Sequence, residues 1–302
     1  MKNIRLGLFI IALMAFSVPA AAMPISLGVA GDFNTFVFND FYGSSDTEGR
    51  LAVGGNARLK HYSVGDKLDR NSKGDMLVVG GNLNFSGGRV YYGDMRVGGN
   101  AHLPNYQIQD GNLYTNAQMP FDFAAEQAYL TRLSADLAER DTNGRTIKKD
   151  GAIKLKGKKN EVQVFNVSGD DLLAAHGLTL KKIAKDATIV INVSGEHAGL
   201  TNMGMESFRR FGSNVLFNFY EAKTLDLHGV GIHGSILAPL ADILNPRGVI
   251  NGTIIASSFH GPMQQNHVPF ESEIPPASIP EPSTIALVGL GLLCLAGIKR
   301  KR

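Results

Sequence analysis

The chain has 302 residues, with 30 Lys and Arg against 27 Asp and Glu, 35 Gly, 12 Pro, no Trp and one Cys. Such usage describes a turn-rich β protein rather than a helical one, and with a single thiol, Cys294, it excludes an intrachain disulfide framework. Lys2, Arg5 and the last four residues hold six of the basic side chains; the rest has 24 basic against 27 acidic residues, so the formal charge of +3 gives no reason to expect a nucleic-acid partner.

In chain order, Lys2 and Arg5 form a basic start, Leu6–Val18 an apolar run, and Ala20-Ala21-Ala22 an A-x-A site. This pattern predicts a signal peptide over residues 1–22, cleaved at Ala20 to Ala22 by signal peptidase. An uncleaved membrane helix fits less well, because the run is short and ends at Pro19.

Three copies of one phrase follow: Val53-Gly54-Gly55-Asn56, Val79-Gly80-Gly81-Asn82 and Val97-Gly98-Gly99-Asn100, at intervals of 26 and 18 residues. Each is flanked by short hydrophobic runs. About 18 residues suit one coil of a β-solenoid, with three short strands turned at Gly-containing corners. The 26-residue interval then reads as a coil carrying an excursion, such as Lys60–Lys73. Gly-Asn corners tolerate positive φ, and their Asn side chains can bond along the stack. A β-sandwich would instead want turns every 8–12 residues and no fixed long period.

Between Pro120 and Arg140 there is no glycine, and Phe123, Leu130, Leu133 and Leu137 share one helical stripe. An amphipathic helix is predicted over about 122–140, N-capped by Asp122 and covering an apolar face of the solenoid. Asp141–Lys159 is polar and basic and reads as a loop or exposed hairpin.

The second half repeats other phrases at the same periods. Phe165-Asn166-Val167-Ser168-Gly169 recurs 26 residues on at Ile191–Gly195, and Ile232–Ala238 recurs 18 residues on at Ile250–Ala256. Asp170-Asp171 reads as a cap for Leu172–Ala175. Gly229–Gly234 matches G-x-G-x-x-G, but a strand-like run follows where a nucleotide site needs a helix.

Catalytic and metal patterns are sparse. There is no G-x-S-x-G elbow and no H-E-x-x-H phrase, and the chain is read as a non-enzyme without a cofactor. His228, His233 and His260 could meet across coils. Calcium is a weak alternative at Asp32, Asn34, Asp40, Asp46, Thr47 and Glu48, which Asx turns and caps explain as well. Binding candidates are the polar segments Lys60–Lys73, Arg89–Tyr92 and Asp141–Lys159. Within them Tyr91 and Tyr92 could stack on a sugar, although one of two adjacent strand residues should point inward. Thr179, Thr188, Thr224 and Thr253 make no ladder of the kind ice binding would want.

The end is tripartite. Residues 273–282 form a linker ending in Pro280-Glu281-Pro282; Thr284–Ile298 is apolar or small throughout; Lys299-Arg300-Lys301-Arg302 closes the chain. A helix over Thr284–Ile298 would run about 22 Å, against a hydrocarbon core of about 30 Å. Snorkelling of the basic tail makes residues 283–302 a marginal transmembrane anchor with its basic end in the cytoplasm. This tail resembles the PEP-CTERM sorting signal. The resemblance implies handling by an exosortase in an exopolysaccharide-producing Gram-negative bacterium, with a membrane tether during sorting and then the cell surface or matrix as destination.

A second resemblance covers the intervening domain, 23–272. Asp46–Asn56, preceded by Phe33–Phe38, with Gly234–Pro239 and Asn266–Phe270 near the end, is similar to the choice-of-anchor A domain. The chain departs from that family at Gly261–Gln265, where a Gly- and Glu-containing approach to the His is expected. The resemblance implies a β-solenoid with one helix alongside and an adhesive role, with no catalytic residues. The function expected is that of an exported surface or matrix adhesin, with exopolysaccharide or another surface ligand as partner. The alternatives are a carbohydrate-active enzyme acting on exopolysaccharide and a purely structural biofilm component.

Overall fold

A computed structural model describes residues 26–272 and 274. The expected signal peptide with Ala20 and Ala22, nearly all of the linker, the Pro280-Glu281-Pro282 motif and the expected C-terminal anchor lie outside the described residues. Among the described residues no helix is long and apolar enough to cross a membrane.

Among the described residues twenty strands join in one continuous sheet wound as a parallel β-solenoid, and three others form a small separate sheet. The repeated phrases lie directly above one another. Val53 pairs with Val79 and Val79 with Val97, and Phe165–Ser168 lies in register on Ile191–Ser194. Likewise Ile236, Leu237 and Ala238 pair with Ile254, Ile255 and Ala256. The fixed periods therefore report coil length, as the solenoid reading expects.

The stacking order differs from chain order. On the first face the ladder climbs from Val162–Ser168 through Thr188–Ser194, Val215–Phe219 and Ser235–Leu244 to Ile254–Gly261. The next strand up is Thr35–Val37, from the start of the domain. Above it come Leu51–Val53, Asp75–Val79, Asp94–Val97 and Leu113–Tyr114. The first and last coils of the domain thus meet in the middle of the stack, at a seam.

Inside, each column of the core takes one side chain per coil. One inward column reads Phe165, Ile191, Phe217, Ile236, Ile254, Thr35, Leu51, Leu77, Met95. A second reads Ile232, Ile250, Gln265, Thr47, Val64, Val90. Each buried aliphatic or aromatic side chain contributes about 1.5–3 kcal/mol. Both columns turn polar only at the seam. There Gln265 Oε1 accepts from the hydroxyls of Thr35 and Thr47, each at 2.7 Å, and Thr47 Oγ1 lies 2.7 Å from the Tyr62 hydroxyl. Asn34 completes the junction, donating to the Gly252 and Asn266 carbonyls and accepting from Gly49 N. The sequence departure at Gly261–Gln265 therefore ends on a residue with a structural task.

Close approach, not positive φ, explains the repeated corner glycines. None of Gly54, Gly80 and Gly98 has a positive φ, but a Cβ on Gly80 would collide with the Gly54 carbonyl oxygen, and one on Gly98 with that of Gly80. The extra residues of the 26-residue interval lie between Val64 and Leu77, since Val64 pairs with Val90 and Leu77 with Met95. Lys60–Val64 belongs to a strand, and Tyr62 is fully buried, so only the later part of the expected excursion leaves the coil.

Helix α1, Phe123–Ala138, runs outside the first face. Its N-cap is Asp122, whose Oδ1 accepts from Ala124 N at 2.8 Å and Ala125 N at 3.1 Å. Leu130, Leu133 and Leu137 are buried beneath it, and Phe123 joins a ring cluster with Phe36 and Phe121. Asn192 of the repeated N-V-S phrase and Asn218, its register partner in the next coil, also serve the helix. Asn192 Nδ2 donates to the Leu137 carbonyl and Asn218 Nδ2 to that of Ser134, both at 2.8 Å.

The basic segment after α1 forms the expected hairpin, Arg145–Lys149 with Ala152–Lys156, turned at Asp150-Gly151 where both residues have positive φ. Ala152–Lys156 then pairs in parallel with Gly177–Lys181. A short helix α2, Gly169–Ala174, is capped by Ser168, whose Oγ accepts from Asp171 N; Asp170 and Asp171 occupy its first turn instead of the cap. Residues 26–274 form one compact unit that contains both seam coils and the whole described core.

Candidate ligand-binding groove

On the second face, outward residues of successive coils stand in line. His260 pairs with Tyr42, Tyr42 with Arg58, Arg58 with Asn84, and Asn84 with His102. Alternation along each strand sends their neighbours Phe41, Leu59 and Phe259 into the core and these five outward. Strand spacing sets about 4.8 Å between members of the row. Arg58, Asn84 and His102 are exposed, Tyr42 and His260 half-buried. The Arg58 guanidinium sits 5.5 Å from the Tyr42 ring centroid, a cation–π contact between neighbours in the row.

Beside this row runs a polar corner. Asp40 Oδ1 accepts from Asn56 N at 2.7 Å, Asn56 Oδ1 from Asn82 N at 3.0 Å, and Asn82 Oδ1 from Asn100 N at 2.9 Å. Each side chain thereby satisfies the backbone donor of the coil above, the stacking role expected for the Gly-Asn corners. Row and corner together enclose an open groove of about 620 Å³. Its walls offer an aromatic ring, a cation and a line of amide and imidazole groups at a regular repeat. That combination can stack on and hydrogen-bond an extended chain of polar units.

The residues singled out from sequence lie elsewhere. Tyr91 ends the strand Leu83–Tyr91 and Tyr92 follows with φ 54°, their ring centroids 5.7 Å apart. Neither points inward: both are half-buried, and Val90 takes the core position. Strand alternation fails there because the chain turns at Tyr92. Arg89 covers the Tyr91 ring at 5.4 Å and donates to Gln107 Oε1, so this pair belongs to a third face, on which the end of Leu83–Tyr91 pairs with Tyr106–Gln109, and not to the groove.

The three histidines do not meet. His228 and His233 lie on the third face opposite Arg247 and Asn251, while His260 is in the groove row. Burial pushes the His233 imidazole below its ordinary value, with Arg209 adding to the effect. The proposed calcium oxygens are dispersed on backbone donors: Asn34 on Gly49, Asp40 on Asn56, Glu48 on His267. Burial raises the Asp46 carboxyl above the usual carboxylate range. Among the described residues no group of three or more His, Cys, Asp or Glu side chains converges on a metal site. The G-x-G-x-x-G phrase lies across the strand Thr224–His233 and the start of the next, Ser235–Leu244, with no helix to receive a phosphate. Thr188 and Thr253 are buried, whereas Thr179 and Thr224 stand in separate sheets, so the four form no ladder.

Residues 26–267 match the family described as "Putative Ice-binding-like adhesive domain", and residues 278–301 match the PEP-CTERM protein-sorting motif. No curated protein matches the chain. Among solved structures, it is similar to the crystal structure of an ice binding protein from an Antarctic biological consortium, at 13% identity. That match covers 88% of this chain and 94% of the other with a TM-score of 0.27. Adhesive-like domain and sorting motif together mark an exported surface protein that an exosortase processes. By the extent of the first match, the chain belongs to the ice-binding-like adhesive domain family.

Proposed function

We propose that this chain is a non-enzymatic adhesin of the choice-of-anchor A type, holding an extended glycan in the second-face groove at the cell surface or in the extracellular matrix. Exopolysaccharide is the first ligand to test, and neither metal nor cofactor takes part. The observation that carries this reading is the row His260, Tyr42, Arg58, Asn84, His102, which offers one polar or aromatic group per coil along an open groove. A periodic polymer can repeat its contacts on such a row, and the stacked Tyr42 and Arg58 give it a preorganised centre.

A glycan array probed with the domain 26–272 tests the proposal directly. Saturable binding is expected, weakened about tenfold or more by Tyr42→Ala or Arg58→Ala, as for an aromatic or Arg anchor at the centre of an interface. Depolymerised product from purified exopolysaccharide would make the protein an enzyme and overturn the reading. Binding that both substitutions leave unchanged would remove the groove from it.

A further inference from the structure

Away from the groove, the hairpin end of the solenoid concentrates positive charge. Residues 141–185 carry ten Lys and Arg against five Asp and Glu, in a chain whose non-terminal part is net negative. The pairing register arranges these charges in line. Arg145 lies directly opposite Lys156, and Lys156 directly opposite Lys181, on one face of the three-stranded sheet. Like charges opposite one another on adjacent strands destabilise a sheet, so a purely structural sheet gains nothing from this row.

The arrangement continues past the strand ends. A hollow of about 350 Å³ is lined by Arg145, Lys156, Gly157, Lys158, Lys159 and Lys182, with no acidic side chain. Lys159 (φ 64°) and Lys182 (φ 56°) hold left-handed backbone, which for a lysine is uncommon and strained. Nearby carboxylates are engaged elsewhere: Asp171 pairs with Lys148 and Asp150 with Lys149. Among the described residues none of Arg145, Lys156, Lys158, Lys159, Lys181 and Lys182 has an ion-pair partner.

We infer that this end of the domain is a second binding surface, specific for an acidic polysaccharide whose carboxylates lie along the cationic row and hollow. Three features select that partner. Cations at strand spacing, about 4.8 Å, match the regular spacing of charge along an extended sugar-acid chain. The large apolar side chains that are exposed, Tyr114, Tyr129, Leu240 and Leu244, are all outside this surface, so it lacks the apolar face with which proteins insert into lipid. Export of the protein places the surface where matrix polymers, rather than intracellular nucleic acid, are the abundant polyanions. The inference is independent of the groove, which is lined by other residues.

The test uses the domain 26–272 and alginate, a polyuronate, as probe, with neutral dextran as control. Alginate binding is expected without dextran binding, falling about tenfold or more between 50 and 500 mM NaCl as the charges are screened. Arg145→Glu, Lys158→Glu and Lys181→Glu, all at exposed positions, should together abolish it, whereas Arg145→Lys, Lys158→Arg and Lys181→Arg should retain it. Arg58→Ala should leave it intact, which separates failure of this surface from failure of the groove. Unchanged melting of the charge-reversed variant shows that the fold survives. Alginate binding insensitive to charge reversal, or absent while vesicles containing phosphatidylglycerol or duplex DNA bind, would overturn the inference.

Discussion

Gln265 is an amide inside a column of hydrocarbon, where an unpartnered polar group costs about 1–3 kcal/mol. Its oxygen takes two hydroxyl protons, from Thr35 and Thr47, and those residues come from the opposite end of the domain. Thr47 also meets the buried Tyr62 hydroxyl, whose pKa burial pushes well above its ordinary value. Removing one member strands the others. Gln265→Leu should therefore destabilise the domain by about 1–3 kcal/mol, measured by urea unfolding. Replacing the group together (Thr35→Val, Thr47→Val, Tyr62→Phe, Gln265→Leu) should recover most of that loss, because no buried donor is then left without an acceptor. If the quadruple variant is less stable than Gln265→Leu alone, the network contributes net stability. If both match the unsubstituted protein, it has no energetic role. The physical value of such a cluster is register, since a one-coil slip at the seam would set Gln265 and Thr47 against Ile and Val neighbours.

Helix α1 shows how one repeated letter serves two elements. Asn166, Asn192 and Asn218 stack on the outside of the first face, Asn218 Nδ2 donating to Asn192 Oδ1 at 2.9 Å. The same two amide groups reach carbonyls of the last turns of α1, tying the helix to the sheet. Asn218→Ala should cost about 1–3 kcal/mol and preferentially loosen α1, seen as faster amide exchange there than in Val215–Phe219; equal loosening of both would deny the Asn a docking role. The helix itself was legible from its stripe, its cap and its lack of glycine. So was the coil period, because Gly and Asn recur wherever close backbone approach or an orphan backbone donor demands them. The groove was not legible, for the complementary reason. His260, Tyr42, Arg58, Asn84 and His102 face outward, where nothing in the fold forces a particular side chain, so no repeated phrase includes them. Tyr91 and Tyr92 drew attention as adjacent aromatics, but a turn at Tyr92, invisible to strand alternation, directs them to another face.

At the scale of the whole molecule, the seam changes what the ends of the domain mean. In a solenoid stacked in chain order the terminal coils have one neighbour each and fray first. Here Thr35–Val37 is sandwiched between Ile254–Gly261 below and Leu51–Val53 above, so the first strand of the described domain has two partners. The outermost segments are internal ones, Tyr106–Gln109 and Leu113–Tyr114 at one end and the Arg145–Lys149 hairpin at the other. Nothing in the sequence announces this, because parallel pairing between residues more than 200 positions apart leaves no local signature. Closing so long a loop must precede any contact it gains, which also predicts slow, highly cooperative folding. Local stability should follow stack position, not chain position. In native-state hydrogen exchange, amides of Thr35–Val37 and Ile254–Gly261 should be among the slowest, opening only with global unfolding. Those of Leu113–Tyr114 and Arg145–Lys149 should exchange through local opening at far lower free energy. Exchange at Thr35–Val37 as fast as at Leu113–Tyr114 would mean that the first coil peels from the seam by itself. The Gln265 network would then be decoration rather than the joint on which both halves depend.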